Sequence, residues 1–580
     1  MRAPFGRLTE NLGHEIKYEN RISTSEATGC AGAERGVRGH RSIRQRRSGR
    51  VPEYQQVKQP PLIEALKNPA VYDHPVEKVE WVETHISWVF LTGAYAYKIK
   101  KPVNLGFVDF STLEKRHICC QEELRLNRRL APSIYLGLIK ITGKEHHPEF
   151  NGNGPILEYA VKMTQFDRNQ ELDRVLERGL LKPEALDVLA KELAAFHQGA
   201  EIAGPESFFG TPEGLAQPMR DNFTRIHEMV RDAKELEQIE RLRSWTESKL
   251  AARRDDFISR RKSGFIRECH GDLHLANMVL IDGRVVVFDC LEFNENLRFI
   301  DVMSDLAFLL MDLDDRGHPE LARRFLNTYL EASGDYAGLK VLRTYQVYRA
   351  MVRAKVASIR LSQQALDSGE EKHLWEEHRS YIDLAEKYTR PDPVSLVITH
   401  GPSGAGKTTL TQGLIEKLDA VRIRSDVERK RLAGLSPLAK TTGEVGAGIY
   451  APDLTRRLYD QLAIFAYDLL KAGYPVLVDA TFLRRASRQI FHHLARHLRV
   501  PFVILNIHAS PKILRERVVL RNKKGLDASE AGVTVLEQQL ATAEPLSPEE
   551  SFHAVEIDAD SPFDLPGVMA DLNRLINKRP

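Results

Sequence analysis

The sequence predicts a two-domain chain, α/β and α+β in class, whose C-terminal part folds as a doubly wound parallel sheet. Three observations predict it. Short apolar runs alternate with helical stretches from residue 394 onward. The first of those runs leads straight into a glycine-rich loop and then a helix. A proline-containing break at residues 388–393 (YTRPDP) stops one long helical stretch just before that run.

Composition narrows the class. A chain of 580 residues is too long for one ordinary core. With 42% hydrophobic and 28% charged residues it has the make-up of a folded globular protein. A formal net charge of +3 gives no reason to expect whole-molecule binding to nucleic acid or membrane. No apolar run approaches the roughly 18 residues of a membrane span. The five cysteines (Cys30, Cys119, Cys120, Cys269, Cys290) show no CxxC spacing, which argues against a zinc ribbon and fits a reduced, cytoplasmic chain. Cys290 is expected to be a packed small residue.

Residues 1–50 carry 11 Lys and Arg against five acids and no hydrophobic periodicity. Residues 1–55 are therefore expected to be a disordered basic tail. No apolar stretch follows the basic residues, so a secretory signal is not expected. No aromatics interleave with the arginines, which favours a solvated tail over a nucleic-acid arm. The expected domains are then 56–390 and 391–580.

In the second domain, residues 394–399 (VSLVIT) read as a buried parallel strand, followed by GPSGAGKT at 401–408. The glycines let backbone N–H groups turn toward phosphate oxygens at a helix N-terminus. This loop assigns nucleotide binding to Gly401, Ser403, Gly404, Ala405, Gly406, Lys407, Thr408 and Thr409. Lys407 can reach the β/γ-phosphates, and Thr408 can place its hydroxyl on Mg²⁺. Further strands are expected at 421–424, 475–479, 502–508 and 554–558. Ligands of such sheets bind at the strands' carboxyl ends. There Asp479 could hold Mg²⁺, and Asp426 with Arg429 could face one ligand. The competing reading is a helix cap at Ser425 or Asp426 with a surface arginine. Arg517 and Arg521, i and i+4 on a helix, could clamp a transferring phosphate or form a solvated basic face.

Together these motifs resemble the small P-loop kinases grouped with the polynucleotide-kinase 5′-kinase domain, zeta toxins and gluconate-kinase-like enzymes. The resemblance covers 394–580. It implies that Asp426 acts as base on an acceptor hydroxyl and leaves the acceptor open.

In the first domain the informative stretch is ECHGDLHLAN at 268–277, then VVVFD at 285–289. Asp272 can accept a proton from an attacking hydroxyl, Asn277 can ligate Mg²⁺, and Asp289 can supply a second metal carboxylate. Upstream, 84–91 and 94–100 read as two strands around Thr92 and Gly93. Lys98 could neutralise phosphates. Lys100 points the same way by period two, and Lys101 the other. A capping-box pattern, STLE at 111–114, starts a helix that carries Glu122 and Glu123, either of which could pair with the lysine. Residues 343–387 read as a long helical stretch that would form the outer, substrate-side lobe.

HGDxxxxN at 270–277 with the Asp289 strand end resembles the aminoglycoside-phosphotransferase and choline-kinase-like branch of the protein-kinase superfamily. That implies a protein-kinase-like bilobal domain over about 60–390, with Asp305 bracing the catalytic loop. YKIKKP at 97–102, FSTLE at 110–114 and ELRLNRRLAP at 123–132 are similar to a bacterial group often fused to this kind of P-loop kinase. On that pattern Glu123 is favoured over Glu122. No GxGxxG precedes Lys98, and nothing specifies a drug as acceptor. The expected function is an ATP- and Mg²⁺-dependent phosphotransferase, bifunctional, acting on small-molecule hydroxyl acceptors. The alternatives are a P-loop kinase regulated by a non-catalytic kinase-like domain, and a nucleic-acid 5′-hydroxyl kinase. The latter lacks a basic, aromatic-studded groove signature, so neither nucleic acid nor membrane is expected as a partner.

Overall fold

A computed structural model of the chain describes residues 60–577, apart from 105–107, 364–367, 392, 438, 440, 442–447, 525–527 and 530. The expected basic tail lies outside the described residues. Among the described residues no helix is long and apolar enough to cross a membrane.

The chain first builds an antiparallel sheet from β1 (Glu80–Glu83), β2 (Ser87–Leu91), β3 (Tyr95–Lys100), β4 (Tyr135–Lys144), β5 (His147–Phe150) and β6 (Ile156–Thr164). Its order is β1-β2-β3-β6-β4-β5. The strand expected at 84–91 begins only at Ser87. Thr84 closes a hairpin turn there: its N–H donates to the Ser87 carbonyl and its hydroxyl accepts the Ser87 N–H, both at 2.9 Å. The helix Leu113–Asn127 packs on this sheet. Its cap is Thr112, one residue past the expected Ser111. Thr112 Oγ1 accepts the Lys115 N–H at 3.2 Å, whereas the Ser111 hydroxyl is taken by Asp109 at 2.6 Å.

A mostly helical lobe follows. Two small antiparallel strand pairs sit in it, β7 (Ile266–Glu268) with β10 (Phe299–Asp301), and the hairpin of β8 (Met278–Ile281) with β9 (Arg284–Val287). The helix Val302–Asp315 is buried along nearly all its length and forms the lobe's spine. The stretch expected to be helical comprises two helices, Leu339–Gln363 and Ser368–Thr389, packed on each other.

The last strands are β11 (Leu396–His400), β12 (Val421–Arg424), β13 (Val476–Asp479), β14 (Phe502–His508) and β15 (Ala554–Asp558). All pair in parallel, in the order β12-β13-β11-β14-β15. The crossovers between neighbouring chain segments are helical, as a parallel sheet requires.

The described chain is one compact unit. The helix Pro319–Ser333 of the first domain covers the β12 edge of the second. Asn327 Nδ2 donates to the Ala420 carbonyl at 3.1 Å, and its Oδ1 accepts the Arg422 N–H at 2.7 Å. An otherwise open edge strand is thereby satisfied. One apolar cluster runs across the junction, from Phe325 and Leu339 to Ile423, Leu462 and Val478. Salt bridges Arg323–Asp419 and Arg324–Glu416, both 3.1 Å, rim it.

Candidate active sites

The first cleft lies between the antiparallel sheet and the helical lobe. It is a cavity of about 470 Å³, lined by Val82, Ala96, Lys98, Met163, Phe166 and Asp289 among others. Lys98, central on β3, reaches Glu123 Oε1 at 2.8 Å and Asp289 Oδ1 at 2.5 Å. Glu123 is fully buried and also holds Lys100 at 2.5 Å through its other oxygen. Lys100 pairs in turn with Glu292. Lys101 faces the other way and meets Glu83 at 2.5 Å. Glu122 lies outside this network and pairs with Arg125 at 2.8 Å. Burial alone would raise the Glu123 carboxyl, but the charges of Lys100 and Lys98 outweigh it and hold it below its ordinary value.

The loop 270–277 adjoins this cleft, whose wall includes Ala276. Asn277 Nδ2 donates to Asp272 Oδ2 at 2.9 Å, and His274 Nε2 lies 3.2 Å from the same oxygen. Burial pushes the Asp272 carboxyl up, but His274, through its charge and its hydrogen bond, leads the groups that outweigh it, so it stays well below the usual carboxylate range. Two carboxylates on the spine helix hold the loop. Asp305 accepts the N–H groups of His270 and Gly271 at 3.0 and 2.9 Å, with His197 Nε2 at 3.1 Å. Asp312, seven residues on and on the same face, accepts the Leu275 N–H at 2.8 Å. Burial lowers the His270 pKa, keeping the ring neutral. Its Nε2 donates to the Phe288 carbonyl at 2.9 Å, and its Nδ1 accepts the Asp272 N–H at 3.3 Å. Gly271 has φ +87°, and a Cβ there would meet the Leu297 carbonyl oxygen at 2.7 Å, so only glycine fits. Asp289 takes left-handed backbone at φ +62°, a strained state held by Tyr135, whose hydroxyl accepts the Asp289 N–H at 3.1 Å. Cys290 is buried against the loop carbonyls, as expected for a packing residue.

The second cleft is a cavity of about 340 Å³ at the carboxyl end of the parallel sheet. Ser403, Gly404, Gly406, Lys407, Thr408 and Thr409 line it, while Gly401 and the buried Ala405 shape the turn beneath. A Cβ on Gly401 would come within 2.3 Å of the Ile507 carbonyl oxygen. Lys407 Nζ folds over the loop and donates to the Gly401 and Pro402 carbonyls at 3.0 and 2.9 Å. Thr408 Oγ1 and Thr411 Oγ1 donate to Asp479 Oδ2 at 2.9 and 3.2 Å. Asp426 and Arg429 face the same cavity, on the helix Ser425–Leu432. That helix has Arg424 at its cap and no side-chain cap bond, so Ser425 and Asp426 do not cap it. Arg429 Nη1 donates to the Ile449 carbonyl at 3.0 Å and Thr455 Oγ1 at 2.9 Å. Arg517 and Arg521 also line the cavity, held by the Ala559 and Ala531 carbonyls at 2.7 and 2.9 Å. Among the described residues the buried Nε atoms of Arg429 and Arg521 have no acceptor. Unpaired buried donors facing a cavity call for an anion. Arg515, by contrast, turns outward to Glu537 at 2.6 Å.

Sequence reading missed several partners. Glu292 beneath Lys100, Tyr135 under Asp289 and Gln539, whose Oε1 accepts the Ser403 N–H at 2.8 Å, come from distant segments with no motif of their own.

The profile of the Phosphotransferase enzyme family matches residues 154–342, and that of an AAA domain matches 396–546. An uncharacterized protein of Mycobacterium tuberculosis (strain H37Rv) is 31% identical over 459 residues, 79% of this chain and 89% of its own. An uncharacterized protein of Mycobacterium bovis matches equally, at 31% over the same shares. The chain belongs to their family. It is an enzyme of the kinase class, with a phosphotransferase domain followed by a P-loop kinase-like domain. Among solved structures, a gluconokinase from Sinorhizobium meliloti 1021 is 22% identical over 32% of this chain and 95% of its own, TM-score 0.23. A choline/ethanolamine kinase family protein from Mesorhizobium loti is 12% identical over 56% and 98%, TM-score 0.33.

Proposed function

We propose that the chain carries two ATP-dependent kinase sites, each passing the γ-phosphoryl group of ATP to a hydroxyl of a small molecule. One observation carries the reading: each domain carries a carboxylate suited to take a proton and its own phosphate-binding cations. At the first, Lys98 is paired with Asp289 on the cavity wall, and Asp272 belongs to the loop whose Ala276 lines the same cavity; at the second, Asp426 shares its cavity with Lys407, Arg429 and Arg521.

Lys98, held in place by Glu123, pairs with the donor's phosphates in the first cleft. The acceptor oxygen attacks the γ-phosphorus, the bond to the leaving ADP oxygen breaks, and the hydroxyl proton passes to Asp272. Because Asp272 stays well below the usual carboxylate range, it is ionised and ready at neutral pH. In the second cleft, Asp426 takes the corresponding proton while Arg517 and Arg521 hold the phosphoryl group in transit. The oxygen donors of Asn277 and Asp289, and of Thr408 and Asp479, suit a hard cation, and these residues would hold Mg²⁺. When bound, Mg²⁺ neutralises charge on the β- and γ-phosphate oxygens.

Titration with a non-hydrolysable ATP analogue tests this. Two equivalents are expected to bind per chain, with Lys407→Ala and Lys98→Ala each removing a different one. A single equivalent, lost with Lys407→Ala and kept with Lys98→Ala, would reduce the first domain to a partner without nucleotide.

A further inference from the structure

A cavity of about 810 Å³ lies at the domain junction. Lys191, Thr328 and Glu331 of the first domain form one side, and Arg424, Arg517 and Arg521 of the second form the other. It abuts the phosphate cradle, because Thr408, Arg517 and Arg521 line both cavities. The cradle, at about 340 Å³, holds the phosphate loop together with Asp426 and Arg429 and is too small for a nucleotide and a whole acceptor together. A second reactant needs adjoining space, and the junction cavity supplies it.

The charge of the walls identifies the ligand's chemistry. Four cations, Lys191, Arg424, Arg517 and Arg521, face one carboxylate, Glu331. That carboxylate is already engaged by Arg422 at 2.6 Å and Arg424 at 3.4 Å. The cavity therefore presents net positive potential to whatever enters. Val427 and Leu520 add an apolar face that can cover a carbon skeleton.

We propose that this cavity binds the acceptor of the P-loop site, and that the acceptor is an anionic hydroxyl compound. Its carboxylate or phosphate lies toward Lys191 and the arginines, and its hydroxyl reaches past the shared wall into the cradle, which Asp426 lines. The second site is then composite: its specificity is set partly by Lys191 and Thr328 of the first domain. The proposal rests on reading the second cleft as a kinase site. The anion's two sources differ chemically. A sugar acid brings a carboxylate, and a phosphate monoester is what an earlier phosphoryl transfer yields.

The test is calorimetric titration of the full chain, saturated with a non-hydrolysable ATP analogue and Mg²⁺. Gluconate and glycerate form the carboxylate arm, glycerol 3-phosphate and ribose 5-phosphate the phosphate arm, and glycerol and ribose the neutral control. One anionic arm is expected to bind and the neutral compounds not. Lys191→Glu is expected to weaken that binding at least tenfold, and Lys191→Arg to retain it. Neutral compounds binding as well as anions, no binding in either anionic arm, or an unchanged affinity in Lys191→Glu would each overturn the proposal. Analogue binding to the unsaturated chain, with Lys407→Ala as control, is read separately. Its absence would sink the kinase reading while the anion titration still judges the cavity.

Discussion

Glu331 accepts from Nε and Nη2 of Arg422 at 2.9 and 2.6 Å, joining a helix of the first domain to the edge strand of the second. Arg422 is only 3% exposed, and Asp426 stands four residues further along the chain. The strand that leads to the candidate base is thus held from outside its own domain.

Removing that carboxylate leaves a buried guanidinium without a counter-charge. Glu331→Ala is expected to cost about 3–5 kcal/mol, the usual penalty for breaking a buried pair, and to slow the P-loop reaction. Glu331→Gln, which keeps an acceptor oxygen, is expected to cost less. Burial pushes the Glu331 carboxyl up, but Arg422 and Arg424 outweigh it and hold it below its ordinary value. A depressed carboxylate stabilises the fold above its unfolded pKa, and this contribution fades as the pH falls below about 4. Chemical unfolding of both variants between pH 3 and 7 checks the size and the sign.

The catalytic loop depends on Asp305. Asp305→Ala orphans the His270 and Gly271 N–H groups and frees the loop to shift. A small misplacement of reacting groups costs about 10²-fold in rate. The first reaction is expected to lose that factor in kcat with little change in the KM for ATP, and the second to keep its rate. Steady-state kinetics of both products separates this from a general loss of folding.

Glu123 serves two buried lysines at once. Glu123→Ala would leave Lys98 without one of its two carboxylates and Lys100 with Glu292 alone. Destabilisation of about 3–5 kcal/mol is expected, together with loss of nucleotide from the first cleft. Glu122→Ala, at a partly exposed pair with Arg125, is expected to change stability by less than about 1 kcal/mol. Thermal melts of the two neighbouring variants make the comparison.

Asp314 gives a pH signature of opposite sign. Burial pushes its carboxyl up to about 6, against the Tyr388 hydroxyl that donates to it at 2.5 Å. The folded state therefore binds a proton that the unfolded state has released between about pH 4 and 6. Stability is expected to fall as the pH rises through that window. Asp314→Asn should remove the fall and raise the melting temperature at pH 7 relative to the parent.

Where strand and loop chemistry is local, the sequence was readable. The strands at 421–424, 502–508 and 554–558 stand at their expected limits, because each is a short apolar run between clear breaks. Lys98, Glu123, Asp272, Asn277 and Asp289 could be singled out because each sits in a spaced motif; the fold joins Lys98 to Glu123 and Asp289, and Asn277 to Asp272. What was not readable depends on distant pairs. Nothing local shows that Lys100 shares Glu123 with Lys98, since period two gives direction but no partner. The strands β4 to β6 were missed, although NGNG at 151–154 is a turn signal between the last two. Thr84 and Thr112 moved two element starts by small margins, because a threonine hydroxyl can satisfy backbone groups from either side of a boundary. The junction was wholly hidden: Asn327 meets Arg422 across 95 residues of chain.

The most direct test of two working sites on one chain is product analysis with γ-labelled ATP, using the intact chain, Asp272→Ala and Asp426→Ala against pooled hydroxyl acceptors. Two distinct labelled products are expected, each variant losing one and keeping the other. If Asp426→Ala abolishes all labelling while Asp272→Ala changes nothing, the first domain transfers no phosphate and the two-site account is wrong.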